Sequence, residues 1–403
     1  MESNLGFEMI YFLILFLLLI LAVRYDIQGK SKYRDHWYLA VLVILIFVAG
    51  LRWRLGVDTP NYLGFFYHKY PDLDHFSFED WPIGKDPFYV LINSIVKSMG
   101  GRFYIVQLIQ ATIVNGLIFL YIKKHCKSIF TCALLYFVIS YTGYCMEIMR
   151  AAISIVICLF GNDYILERKW VKGYLLYMLA LMFHAQTVVL FVLPVLFFLR
   201  LNKFGAMALV AAFIAGHIIQ AALGDYLMLL DMDGAIGDKA EKYAESDQFG
   251  DQGGNMNFFI VFILPNLIYG VLTLIYMKRY HRESRLLKFE PMLMLGMMFL
   301  MMQMSMQIAY RFVDYYRIYF MMFCAEFFVY IAKNVKLSRG LAYCRAWILI
   351  FPFVFLLAFP KLTSKRYRYA PYSSVIERKV VKERELRYNQ SYKNRPQARN
   401  NEY

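Results

Sequence analysis

Two arginines and an aspartate lie close together where a long apolar run ends. The run from Tyr38 to Leu51 is followed by Arg52, Arg54 and Asp58, and Pro60 then prevents an uninterrupted helix. An arginine stays charged and presents a planar fork of donors that suits phosphate oxygens. We interpret this stretch as a polar site facing water at a membrane boundary. The alternative is that the same charges are interfacial anchors.

Further polar residues follow other apolar runs and are predicted at the same end of the spans. An ionisable group near hydrocarbon costs several kcal/mol unless it is paired or hydrated, which makes it a functional candidate. Arg52, Arg54, Arg150, Arg311 and Arg317 are therefore predicted to bind a phosphate-bearing group. Pairing of an arginine with a nearby Glu147 or Asp314 is the structural alternative. The predicted supporting residues are Tyr62, Asp86, Tyr89, Glu147 and Asp314.

His184 is the first candidate for a general base and Asp58 is the second. An unperturbed histidine titrates nearer neutrality than any other side chain in this set, as activation of a hydroxyl nucleophile requires. Asp58, beside Arg52 and Arg54, is expected to stay ionised and weakly basic. The structural alternative for His184 is a core histidine or a helix cap.

The composition is that of an all-α polytopic membrane protein. Of the 403 residues, 60% are hydrophobic and only 18% are charged, and apolar runs long enough to span a bilayer recur along the chain. The net charge of +15 comes from short loops and the C-terminal tail, a pattern typical of topology signals and lipid contacts, not of nucleic-acid binding.

No metal, cofactor or disulfide framework is expected. The sequence has no zinc-binding spacing, no phosphate-binding loop and no nucleotide-binding glycine pattern. The six cysteines lie in or beside apolar runs, where neither a structural metal nor disulfides are typical.

The apolar runs and basic loops predict about twelve spans with the N-terminus outside. Phe88–Met99 is too short to cross and is predicted to be interfacial or re-entrant. Between Lys172 and Arg200 the charge pattern favours a broken or re-entrant hairpin, with His184 near its turn. The predicted spans are Met9–Val23, Tyr38–Leu51, Phe103–Ile122, Ile129–Cys145, Ala151–Leu166, Gly173–Phe183, Ala185–Leu199, Phe204–Leu223, Phe258–Met277, Met292–Ala309, Ile318–Ala332 and Leu341–Phe359.

We expect a single membrane domain over residues 1–360 and a basic, tyrosine-rich tail over 361–403. The domain has two long outer loops, 52–87 and the acidic 224–257. The span count puts the tail outside, whereas its positive charge favours the inside.

Short motifs in order along the chain resemble the EpsG family of polysaccharide-polymerising membrane proteins, relatives of the Wzy polymerases. They cover nearly the whole sequence, and their order carries the resemblance. Ala152 departs from the pattern, where a polar residue is expected soon after the arginine. The motifs are Gly50-Leu51-Arg52 with Gly56-Val57-Asp58-Thr59 and Tyr62, Asp86-Pro87-Phe88-Tyr89 with Leu91, Met149-Arg150, Phe183-His184 with Pro194, Arg317-Ile318-Tyr319-Phe320, and Pro371-Tyr372.

The resemblance implies a Wzy-like fold of the C-type glycosyltransferase class in the bacterial cytoplasmic membrane. It further implies polymerisation of oligosaccharide repeat units into exopolysaccharide or capsule at the outer face. Donor and acceptor would be linked to polyprenyl pyrophosphate, and the glycosyl transfer would be inverting and metal-independent. Other exopolysaccharide assembly proteins are possible partners.

Two other functions remain open. A flippase that moves the lipid-linked unit without chemistry also needs a basic cavity, although transporters commonly show internal repeats and none is apparent in this sequence. A non-catalytic scaffold of an export complex is the second alternative.

Overall fold

The computed structural model describes residues 9–76, 86–229 and 259–334, together with residues 369, 371–378, 380, 382 and 384–386 near the C-terminus. Within these residues the secondary structure is helical apart from one isolated bridge between Arg52 and Ser374, so the all-α prediction is confirmed there. The α-helices are α1 (Met9–Leu21), α2 (Arg34–Gly50), α3 (Thr59–His68), α4 (Pro87–Ser98), α5 (Phe103–His125), α6 (Ile129–Tyr136), α7 (Met149–Leu166), α8 (Trp170–Leu181), α9 (Lys203–Leu229), α10 (Leu264–Tyr280), α11 (Glu290–Met302), α12 (Tyr310–Val313) and α13 (Arg317–Asn334).

Several of these helices suit a bilayer by length and composition. Among the described residues, four helical segments are long and apolar enough to cross a membrane: Met9–Ile27, Phe103–His125, Met149–Leu166 and Lys203–Ala221. The helices Ile129–Tyr141 and Trp170–Leu181 are apolar but shorter. The chain is therefore a helical membrane protein, and the figure of about twelve crossings stays a prediction.

The chain divides into two compact units. The first comprises Met1–Val192 and Phe328–Tyr403, and the second comprises Leu193–Phe327. The single-domain prediction is not tested by this division, and each unit is described by itself.

The first unit is built on close contacts of α2 with α5 and of α7 with α5 and α8. Gly50 allows the approach of α2 to α5, because a Cβ atom there would lie 2.6 Å from Leu108 Cδ1. At the other end of these two helices Lys123 Nζ lies 3.0 Å from Asp35 Oδ1. Arg34, from the same predicted inner loop as Asp35, donates to the Lys127 carbonyl over 2.7 Å. Charged groups from loops predicted to be inside thus meet at one end of the unit.

In the second unit a buried carboxylate joins the loop before α9 to α10 and α11. Glu290, which begins α11, accepts a hydrogen bond from Leu201 N over 2.6 Å. Its carboxylate also lies 2.5 Å from Lys278 Nζ and 3.7 Å from Arg200 Nε. Because Glu290 is only 3% exposed, these contacts compensate its removal from water.

Some predicted boundaries are corrected by the structure. Helix α9 continues to Leu229, past the predicted start of the outer loop 224–257, and residues 230–258 lie outside the described residues. The predicted span Met292–Ala309 is interrupted, since α11 ends at Met302 and a 3₁₀ turn follows over Gln307–Ala309. The predicted last span, Leu341–Phe359, lies outside the described residues.

The predicted helix break at His184 is present. Helix α8 ends at Leu181, and His184 has an extended backbone with φ −159° and ψ 117°. The second arm of the predicted hairpin is not an α-helix: 3₁₀ segments occupy Ala185–Phe191 and Leu193–Leu196. This arm has both buried apolar side chains, such as Leu190, and exposed ones, such as Val192.

Candidate active site

Asp86 lies at the centre of a charged cluster in the first unit. Its Oδ2 accepts from Arg150 Nη1 over 2.6 Å, and its Oδ1 accepts from the Ala185 backbone N–H over 3.0 Å. His184 Nδ1 lies 3.7 Å from the same Oδ2. The carboxylate is 3% exposed, whereas the Arg150 and His184 side chains keep 29% and 18% exposure. The predicted binding arginine and the predicted base therefore flank one carboxylate.

Local sequence explains how Asp86 reaches this position. Pro87 begins α4 and favours an extended conformation for the preceding residue, and Asp86 has φ −93° and ψ 101°. The next backbone N–H, that of Phe88, donates to the Met182 carbonyl over 3.0 Å. The start of α4 is thereby joined to the end of α8, beside the break that carries His184.

The His184 ring is held from both sides. Its Nε2 lies 3.1 Å from Gln186 Oε1, and its Nδ1 faces the Asp86 carboxylate. An amide oxygen only accepts, so the contact with Gln186 Oε1 uses a proton on Nε2. Nδ1 has no hydrogen-bond partner among the described residues and faces the Asp86 carboxylate across 3.7 Å.

Tyrosine rings pack around Arg150. The Tyr62 ring centroid lies 5.8 Å from Arg150 Cζ and 5.8 Å from the Tyr89 ring, which in turn lies 6.5 Å from Tyr70. Burial raises the pKa of all three hydroxyls above the ordinary value. They therefore stay neutral and can donate hydrogen bonds at physiological pH. Arg150 Nε is buried and has no hydrogen-bond partner among the described residues.

Arg52 is buried and surrounded by acceptors of the protein itself. It is 1% exposed, and its Nη1 and Nε donate to the carbonyls of Ala49 and Leu55. Its Nη2 lies 3.3 Å from the Met149 sulfur, directly before Arg150 in α7. In this conformation the Arg52 guanidinium fastens the end of α2 to the start of α7.

Gly56 gives the stretch after Arg52 its tight course. Its φ is +100°, and a Cβ atom there would lie 2.1 Å from the Met146 carbonyl oxygen. The two glycines of the sequence stretch thus have separate roles, Gly50 for helix packing and Gly56 for a turn that touches the segment before α7. Asp58 follows as the residue that precedes α3, half-buried.

The family model described as the EpsG family matches residues 35–374, most of the chain and all of the candidate site residues. The chain belongs to the EpsG family. Comparison with curated proteins and with solved structures gave no match. Membership of the EpsG family indicates a general role in polysaccharide polymerisation.

In this EpsG family member one of the remaining predicted arginines lies in the first unit and two lie in the second unit. Arg54 forms an ion pair with Glu385, in which Nη1 lies 2.6 and 2.7 Å from the two carboxylate oxygens. Arg311 and Arg317 belong to the second unit, where Arg317 Nε lies 2.5 Å from Asp314 Oδ1, the local pairing that the sequence offers as the structural alternative.

The EpsG match ends at Ser374, within a C-terminal segment that lies on the Arg52 stretch. Trp53 N donates to the Ser373 carbonyl over 2.6 Å, and Val375 N donates to the Leu51 carbonyl over 2.8 Å. The Tyr369 hydroxyl donates to the Glu147 carboxylate. These contacts put the segment at the same end of the first unit as Arg52. Sequence reasoning missed them, although the Pro371-Tyr372 motif marked the region.

Proposed function

We propose that this protein joins oligosaccharide repeat units carried on polyprenyl pyrophosphate, at the outer face of the cytoplasmic membrane. A sugar hydroxyl of one lipid-linked unit attacks the anomeric carbon of a second. The new glycosidic bond forms as the anomeric C–O bond breaks, and the pyrophosphate leaves with the bonding electrons. The attack from the opposite side inverts the anomeric centre, and the hydroxyl proton passes to a protein base.

The observation that carries the proposal is the Asp86–Arg150–His184 cluster in a chain of the EpsG family. Arg150 is suited to the departing pyrophosphate because its charge is permanent, its Nε is unpaired among the described residues and it lies in the first turn of helix α7, where the helix dipole also favours an anion. The neutral hydroxyls of Tyr62 and Tyr70 supply further donors.

His184 is the proposed base that takes the proton of the attacking hydroxyl. Asp86 acts through its neighbours: its carboxylate lies 3.7 Å from His184 Nδ1 and stabilises the imidazolium that forms after proton transfer. Asp58 remains the second candidate for the base. Arg52 is assigned a positioning role, because its donors already serve carbonyls and Met149. Arg54, Arg311 and Arg317 remain proposed contacts for the phosphates.

The test is the fate of the repeat units in a strain that lacks the protein. For a polymerase we expect single repeat units on lipid at the outer face and no long chains. Units retained at the inner face would contradict the proposal and favour a flippase. Unchanged chain length and yield after loss of the protein would contradict both.

Arg150 offers a sharper test. Arg150→Lys keeps the charge but loses the planar fork, so polymer yield at equal protein level should fall at least about tenfold. Lys30→Arg, at the predicted inner end, is the matched control and should leave yield unchanged. Full yield from Arg150→Lys would contradict phosphate binding by this residue.

A further inference from the structure

A basic cleft lies between the Arg52 stretch, α3, the start of α5 and the C-terminal segment. All of its lining residues belong to the first unit. Among the described residues that line it, four are arginines and none is acidic. Trp53, Tyr67 and Tyr104 contribute aromatic walls. The cleft is therefore positively charged and partly apolar.

The four arginines differ in how many hydrogen bonds and ion pairs their guanidinium groups already form within the protein. Arg52 is buried and donates to backbone carbonyls, and Arg54 is paired with Glu385. Arg102 and Arg378 are exposed, and neither forms an ion pair within the described part of the chain. Arg378 Nε bonds the Val375 carbonyl over 3.3 Å, which leaves its terminal nitrogens toward solvent. Two guanidinium groups are thus available to an anion.

Helix α5 adds to the positive potential at this place. Arg102 is the residue that precedes the 23-residue helix, and Phe103 and Tyr104 of its first turn also line the cleft. The N-terminus of a helix presents backbone N–H groups and a partial positive charge, which favour phosphate. Because α5 is long and apolar enough to cross a membrane, its first turn lies at the level where lipid headgroups are found.

We propose that this cleft binds the phosphate or pyrophosphate headgroup of a lipid. Resting on the proposed function, we assign it to the lipid-linked chain whose pyrophosphate does not react. A polymerase of this kind holds two lipid-linked chains at once. One pyrophosphate departs at the Asp86–Arg150–His184 cluster. The other is bound but does not react, and its binding requires arginines but no neighbouring base. A water-soluble sugar is less well suited, because the cleft lies at a span end and has apolar walls.

The C-terminal segment completes the cleft in this assignment. It contributes Val375 and Arg378, and its place is fixed by the Arg52–Ser374 bridge and the Arg54–Glu385 ion pair. The Arg378 and Arg54 guanidinium carbons lie 5.2 and 5.0 Å from the Trp53 ring centroid, so stacking on Trp53 orients both. Loss of this segment is expected to remove one wall of the site.

Direct binding to the full-length protein in phosphatidylcholine nanodiscs tests the assignment, with farnesyl pyrophosphate as the probe. In the Arg150→Gln background, which removes the proposed contact with the departing pyrophosphate, Arg102→Gln combined with Arg378→Gln should weaken binding at least about tenfold, since two charge-assisted contacts are lost. Lys30→Gln should leave binding unchanged. The double lysine variant, Arg102→Lys with Arg378→Lys, should recover part of the affinity. Such recovery would show that the fold is retained. Affinity in that background unchanged by the two glutamines, or no binding by the wild type, would overturn the proposal.

Two competitors identify the source of the phosphate. Phosphatidylglycerol at equal membrane concentration should displace little of the probe, and equal displacement would overturn the assignment to a lipid-linked substrate. Inorganic pyrophosphate should compete only weakly, and competition as strong as that of the lipid would overturn lipid recognition. Loss of probe binding in the cleft variant of a protein that shows no polymerisation would support the cleft while contradicting the proposed function.

Discussion

Replacing Asp86 by asparagine perturbs the cluster at its centre. The asparagine amide still accepts from Ala185 N, but it no longer carries the charge that faces Arg150 at 2.6 Å and His184 at 3.7 Å. Its NH₂ group would also face one of these donors. We therefore expect both a less stable protein and a loss of activity beyond that loss of stability.

The magnitude follows from burial. Removing one partner of a fully buried ion pair costs about 3–5 kcal/mol, and an exposed pair contributes about 0–1 kcal/mol. Asp86 is 3% exposed and Arg150 is 29% exposed, so the expected cost lies between these limits, at about 2–3 kcal/mol. Since His184 also loses its orienting carboxylate, polymer yield should fall at least about tenfold.

The assay compares Asp86→Asn with Asp72→Asn, both by denaturation of the purified protein and by polymer chain length at equal protein level. Asp72 is 49% exposed and lies 3.7 Å from Lys97, so its replacement should cost no more than about 1 kcal/mol. Adding Arg150→Gln to Asp86→Asn should cost less than the sum of the single effects. Equal stability and yield for the two aspartate variants would refute the reasoning.

Further predictions concern the turn, the buried phenols, the tail and metal dependence. Gly56→Ala should destabilise the protein by about 2 kcal/mol or more in thermal unfolding, because φ is +100° and a Cβ meets Met146 O. Gly116→Ala, in the interior of α5 with open space around it, should instead stabilise by roughly 0.4–1 kcal/mol. Burial raises the pKa of Tyr62 above 10.0. Its contribution to the free energy of unfolding is therefore complete below about pH 10 and is lost at higher pH. Tyr62→Phe should reduce this alkaline loss of stability in unfolding scans. A cysteine at Glu377 should react with an impermeant reagent from outside and one at Lys30 should not; labelling of both from one side would contradict the placement of the tail. A strong chelator should leave polymerisation by the purified protein unchanged.

Much of the helical framework could be predicted from the sequence. Long apolar runs between basic loops located α1, α5 and α7 to within a few residues, because hydrocarbon burial and positive loop charge act locally along the chain. The break at His184 followed from two basic clusters that are too close for two ordinary spans. The 3₁₀ form of Ala185–Phe191 did not, since periodicity does not distinguish short apolar helices of different pitch.

The polar contacts were harder to predict because they join distant parts of the chain. The sequence offered Glu147 as the partner of Arg150, three residues away, but the structure pairs Arg150 with Asp86 and Glu147 with Tyr369. The sequence indicates Asp86 only as a supporting residue, because its central position depends on how α4 meets the end of α8. No local pattern indicates that Glu385 reaches Arg54.

The most direct test of the central claim is polymerisation of a purified lipid-linked repeat unit by the protein in proteoliposomes, with wild type and His184→Gln compared. Glutamine retains hydrogen bonding but cannot accept a proton, so it separates a base from a helix-capping or binding residue. If the Asp86–Arg150–His184 cluster performs the transfer, the rate should fall about 10² fold or more, with the same folded fraction and undiminished binding of the lipid-linked unit. Polymer formation by His184→Gln at the wild-type rate would contradict the claim.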